Sequence, residues 1–93
     1  VVTEIMLRAP AVVTGLEIAF NRGAERRSRF SVETSSDGKT FTPVFNGESS
    51  GKTADFETIR FPAMTACRLI RITFKGNSDN LWNNLSGLRL LTE

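Results

Sequence analysis

Histidine is absent from these 93 residues. Without it there is no Ser-His or Cys-His nucleophile system, no commonest general base and no usual zinc ligand. Tyrosine is absent too, so the acidic side chains lack an obvious proton-transfer partner. Their spacing selects no catalytic pair, and no clustered carboxylate loop of the EF-hand kind occurs. The chain itself is therefore not expected to be an enzyme. One cysteine, Cys67, is present. It cannot form an internal disulfide, and it stands just before an apolar strand pattern. It reads as a small buried hydrophobe rather than a reactive thiol. No apolar stretch approaches the roughly 20 residues that a spanning helix needs. There is no long basic run, and a net charge of +2 does not by itself point to nucleic acid. Internal repeats, low-complexity tracts and linkers are missing as well.

Hydrophobic residues make up 40% and charged residues 24%, as in ordinary globular chains. The length predicts a single domain over residues 1–93, or part of one, with one modest core. The chain opens at Val1, directly in a strand-like run. The expectation is a piece of a longer polypeptide, already processed or excised.

Short β-rich runs alternate with turn signals, and no segment sustains a helical period. Thr3 to Leu7 reads as a first strand, with Ile5 and Leu7 on one face. Ala9-Pro10-Ala11 is expected to break it. Val13 to Asn21 follows, with Leu16, Ile18 and Phe20 on one face and Glu17 and Ala19 on the other. Arg29 to Ser35 puts Phe30 and Val32 inward. Asp37-Gly38 predicts a tight hairpin turn into Phe41 to Phe45, where Pro43 suggests an edge or a bulge. Phe56 to Phe61 is expected to end at Pro62. A helix could form only around Ala63 to Ala66, too short to matter. Cys67 to Lys75 puts Ile70, Ile72 and Phe74 on one face, and Leu85 to Leu91 closes the series. Seven short strands predict an all-β antiparallel sandwich or jelly roll, with a barrel as the alternative.

The stretch Gly76 to Asn84 stands out between two strands. It holds the only tryptophan, Trp82, with Asn77, Asn80, Asn83 and Asn84. A polar loop with one flat aromatic on rigid strands suits recognition. The bland alternative is a turn rich in turn residues with a core tryptophan. A second cluster, Asn21 to Arg29, carries Arg22, Arg26, Arg27 and Arg29. Guanidinium forks match carboxylates, although such a cluster is as easily a solvated strand end. Gly51-Lys52-Thr53 resembles the tail of a phosphate-binding P-loop. Asn46 stands where that motif needs its first glycine and no helix follows, so the match is rejected.

Four segments, taken in order, are similar to the factor V/VIII type C, or discoidin-like, domain. They are Val13-Thr14-Gly15-Leu16-Glu17-Ile18-Ala19-Phe20, then Arg29 to Phe41 with its Ser-Ser-Asp-Gly hairpin, then Arg68-Leu69-Ile70-Arg71-Ile72, then Gly76-Asn77 with Asn80-Leu81-Trp82-Asn83-Asn84-Leu85. More narrowly, the order resembles the family 32 carbohydrate-binding modules of bacterial polysaccharide lyases and glycoside hydrolases. The resemblance implies a discoidin-like jelly roll whose loops bind sugars in shallow sites at one end. It implies a non-catalytic module that targets an appended secreted enzyme to polysaccharide. Localisation would be secreted, periplasmic or on the bacterial cell surface. On this reading Arg26, Arg22, Asn77, Asn80 and Trp82 contact the ligand. Trp82 would stack on a pyranose face, or pack under the loop while Asn77 and Asn80 make the contacts. The arginines favour an acidic polymer such as alginate.

Two departures accompany the resemblance. The family's N-terminal strands, which supply part of the ligand site and most of a structural calcium site, are not matched. Gly87 stands where many members carry a calcium-binding glutamate. No cofactor is therefore expected, and the calcium site looks incomplete. The expected partner is a polysaccharide or oligosaccharide, with no nucleic acid. Membrane-lipid binding ranks low, because the loops offer mainly Leu81 and Trp82 as apolar spikes. The competing reading is a protein-interaction or cell-adhesion domain on the same fold.

Overall fold

The computed structural model describes residues 2–78 and 85–92, with the backbone alone at 63–65. Five strands carry it: β1 (Val2–Phe20), β2 (Ser28–Ser35), β3 (Thr42–Glu48), β4 (Glu57–Asn77) and β5 (Leu85–Thr92). Their order is β3-β2-β4-β1-β5, and every pairing is antiparallel. Among the described residues there is no helix.

The long strands β1 and β4 each serve two layers. The first half of β1 pairs with the second half of β4, as in Glu4 with Arg71. That half of β4 also pairs with β2. The second half of β1 lies between the first half of β4 and β5, as in Glu17 with Thr58 and Arg89. Register breaks fall between Met6 and Ala11 and between Val13 and Gly15. Such irregularities bend strands, and the bend brings the layers face to face. Phe20 of one layer meets Phe30 and Phe74 of the other, with ring centroids 5.6 and 6.4 Å apart. Tilted and edge contacts of this kind are preferred for aromatic pairs. Val13, Leu16, Ile18, Val32, Phe61, Cys67, Ile70 and Ile72 complete the buried core. The architecture is the expected all-β antiparallel sandwich.

Several local expectations give way. Seven short strands become five, because neither Pro10 nor Pro62 ends its strand. Pro10 falls inside the register break from Met6 to Ala11. Pro62 falls where β4 passes from Arg60, paired with Gly15, to Thr65, paired with Val13. A missing N–H costs nothing where no ladder bond is due. The same break leaves the backbone extended through 63–66, where the short helix was considered. Pro43 behaves as expected: it lies on edge strand β3, beside the Val32/Glu33 register shift.

The Asp37-Gly38 turn is wider than a two-residue hairpin. Residues 36–41 connect β2 to β3. Asp37 Oδ1 accepts from the Lys39 and Thr40 N–H groups at 2.8 and 2.9 Å, and from the Ser35 hydroxyl at 3.1 Å. An aspartate that organises its own turn in this way needs no positive φ of its own. Gly38 alone supplies one, at 78°. Ala19, expected outward, is buried. Its partner Gly87 lies against the Phe56 ring, so that side of the sheet is covered too.

Candidate functional site

Three connections gather at one end of the sandwich: residues 21–27, residues 49–56 and the start of the β4–β5 connection at Ser78. The 21–27 connection and the start of β2 are tied to each of the other two through backbone groups. The Ser28 N–H donates to Ser49 Oγ at 2.8 Å, and the Ser49 N–H donates to the Ser28 carbonyl at 2.8 Å. The Arg27 N–H donates to Ser78 Oγ at 3.0 Å, and the Ser78 N–H donates to the Arg27 carbonyl at 2.8 Å. Gly23 packs directly on the Thr53 carbonyl, and any Cβ there would collide with it. Gly51, with φ of 71°, takes the Arg27 stem against its Cα; a Cβ would meet Arg27 Cγ at 2.7 Å.

The 21–27 connection is a compact turn. Arg22 holds a positive φ of 58°, a conformation uncommon outside glycine and asparagine. The Gly23 N–H donates to the Phe20 carbonyl and the Glu25 N–H to the Arg22 carbonyl. Arg22 is exposed and ion-paired with Glu25. That hydrogen bond and charge, with a smaller share from Arg26, hold the Glu25 carboxyl below the usual range. Arg26 is only 8% exposed, and its Nη2 donates to the Asn21 carbonyl at 3.4 Å. Arg27 lies 3.6 Å from Glu48. Of the four arginines only Arg26 is buried; Arg22, Arg27 and Arg29 are exposed, although each has a partner within the protein.

The expected contact residues fall in different places. Arg22 and Arg26 share the 21–27 connection. Asn77 closes β4 at the root of the next connection and is 2% exposed. Its carbonyl accepts from Arg29 Nη2 at 2.8 Å, which links it to β2. Asn80 and Trp82 lie outside the described residues. The rejected Gly51-Lys52-Thr53 match leads into β4, not a helix. Burial raises the Cys67 thiol pKa, in keeping with a packed side chain.

Calcium would require about six to eight oxygen ligands. Gly87 offers no side-chain oxygen, and a Cβ there would lie 2.5 Å from the Phe56 ring. Arg89 stacks on the same ring at 3.7 Å, adding a positive charge. The residues around Gly87 do not fit a calcium ion. Among the described residues, no group of three or more metal-ligating acids or cysteines occurs.

Sequence reasoning missed the serines and glycines that join the connections. Ser28, Ser49, Ser78, Gly23 and Gly51 read as ordinary turn residues, and only the partner across space gives each its role.

The family model for the F5/8 type C domain matches residues 3–90. The chain belongs to the F5/8 type C domain family. Solved relatives of this F5/8 type C domain include the CBM32 of AlyQ in complex with 4,5-unsaturated mannuronic acid. That structure is 34% identical with a TM-score of 0.90, over 97% of this chain and 69% of its own. A truncated AlyQ with CBM32 and alginate lyase domains is 35% identical with a TM-score of 0.89. It matches 96% of this chain, which spans 23% of that longer one. A pectin-binding carbohydrate-binding module shares the fold at 22% identity and a TM-score of 0.89, over 96% of this chain and 64% of its own. No curated protein matches.

Proposed function

We propose that this F5/8 type C domain is a non-catalytic carbohydrate-binding module. Its ligand is a uronate-containing polysaccharide such as alginate, and its task is to hold an attached enzyme on that polymer. The protein would then be secreted or on the bacterial cell surface. The likeness to the AlyQ module that binds 4,5-unsaturated mannuronic acid carries this reading.

The local chemistry supports it. Arg26 is held from within by the Asn21 carbonyl, so its guanidinium is pre-ordered, which lowers the cost of binding. Arg22 adds donors on the same connection, although Glu25 competes for them. Asn80 and Trp82 would supply amide contacts and a stacking face. Asn77, nearly fully buried, would act by setting the root of their loop.

Calorimetry with oligomannuronates, oligogalacturonates and a neutral galactan tests the reading. Binding of the uronates should be lost in Arg26→Ala and weakened in Trp82→Ala. If the protein bound no glycan in any of these titrations, the reading would fail.

A further inference from the structure

Beside the loop end, the sheet carries a polar groove of about 340 Å³ lined by Arg29, Asn46, Gly47, Glu48 and Lys75. It arises from a break in the β2–β4 ladder. Ser28 pairs with Asn77 and Phe30 with Phe74, so Arg29 alone faces both Lys75 and Gly76. Two residues opposite one make a β-bulge, which re-aims the side chains around it. Gly76 has φ of 94°, a conformation glycine adopts without steric cost. The bulge sets Arg29 and Lys75 into one groove. Arg29 Nη2 is anchored on the Asn77 carbonyl at 2.8 Å, and Lys75 Nζ on Asn46 Oδ1 at 3.1 Å.

Both anchors are neutral. Neighbouring cations have carboxylate partners: Arg27 has Glu48 at 3.6 Å, and Arg71 has Glu4 at 3.3 Å and Glu33 at 3.9 Å. Among the described residues, neither Arg29 nor Lys75 forms an ion pair. The groove's own carboxylate, Glu48, is paired with Arg27. Glu48 also stands opposite Arg29 across the β2–β3 ladder. Among the described residues the recess thus sets two cations against one carboxylate that Arg27 already shares, and a further anion between Arg29 and Lys75 is favoured electrostatically. The Arg29 fork suits a carboxylate. The Asn46 amide, whose oxygen already holds Lys75, has N–H groups to offer a hydroxyl. The volume sits near the low end of small-ligand pockets, roughly 300–1,000 Å³, and suits one sugar ring.

We infer that this groove is a carboxylate-binding subsite for one uronate residue, extending the loop-end site along the same polymer. The inference rests on the uronate-binding reading above. Arg29 bonds directly to Asn77 at the root of the proposed contact loop, so the two sites are neighbours. A short oligomer would fill the loop end alone, and a longer one would reach Lys75.

Calorimetry on the protein with short and long oligomannuronates tests this, using Lys75→Gln and Lys75→Glu. Lys75 is exposed, and an unfolding curve for each variant confirms the fold. If Lys75→Glu does not fold, Lys75→Gln decides. The long oligomer should bind about threefold more weakly to Lys75→Gln and about tenfold more weakly to Lys75→Glu. The short oligomer should bind all three proteins alike, and a carboxyl-reduced long oligomer should not distinguish them. Equal affinity of wild type and Lys75 variants for the long oligomer would overturn the subsite alone. Equal loss with the carboxyl-reduced oligomer would overturn its assignment to a carboxylate. Absence of any uronate binding by wild type would overturn the functional reading and the subsite together.

Discussion

Ser28 and Ser49 exchange two hydrogen bonds of 2.8 Å, one from each backbone N–H. Both residues are buried. This reciprocal pair fixes the start of β2 to the end of β3, beneath the loop end where the ligand is proposed to sit. Ser49→Ala removes the oxygen that accepts from the Ser28 N–H and leaves that donor buried. An unsatisfied buried donor costs about 1–3 kcal/mol. Chemical denaturation should show a midpoint lowered accordingly. Ser50→Ala is the control: its hydroxyl serves only the exposed Lys52 N–H, and the change should stay within about 0.5 kcal/mol.

Gly23 offers a test of how the connections support binding. A Cβ on Gly23 would run into the Thr53 carbonyl, with the Phe20 carbonyl 3.1 Å away. Both obstacles are backbone, so 21–27 and 49–56 must move apart. Gly23→Ala is expected to destabilise by about 1–3 kcal/mol, as overpacking does. Calorimetry on the folded variant should also show weaker oligouronate binding, since Arg26 rides on the displaced connection. Unchanged affinity would separate the glycine's packing role from the site.

Asp37 makes stability depend on acid. The Thr40 and Lys39 N–H groups, then the Ser35 hydroxyl, hold its carboxyl below the usual range. A carboxylate with a depressed folded pKa contributes stability above its unfolded pKa, about 3.9. That contribution is lost as pH falls through the lower folded value. Wild type should therefore exceed Asp37→Asn in stability at neutral pH, and the gap should close below about pH 4. Urea unfolding at a series of pH values reads this directly. A gap of constant size would place the origin elsewhere than the charge.

Much of the fold is legible along the chain, because burial on a strand follows a period of two. Leu16, Ile18 and Phe20 announce one buried face, and Phe30 with Val32, and Ile70 with Ile72, announce the others. Strand continuity is less legible. Pro10 and Pro62 look like endings, and whether a proline ends a strand depends on whether its partner strand needs an N–H there. That depends on register, which is a relation between two distant segments. The site divides the same way. Arg26 is visible as one arginine among several, whereas its enclosure and its bond to the Asn21 carbonyl are not.

The sequence by itself determined the all-β class, the inward faces, the edge position of Pro43 and the absence of histidine-based chemistry. These follow from residue type and local spacing. Only the tertiary structure decided which cations are matched. Arg27 finds Glu48, and Arg71 finds Glu4 and Glu33. Arg29 and Lys75 come to line one groove at the Gly76 bulge, and the carboxylate of that groove, Glu48, is shared with Arg27. Charge pairing acts over a few ångströms in space, and residues 29 and 75 become neighbours only through the β2–β4 register.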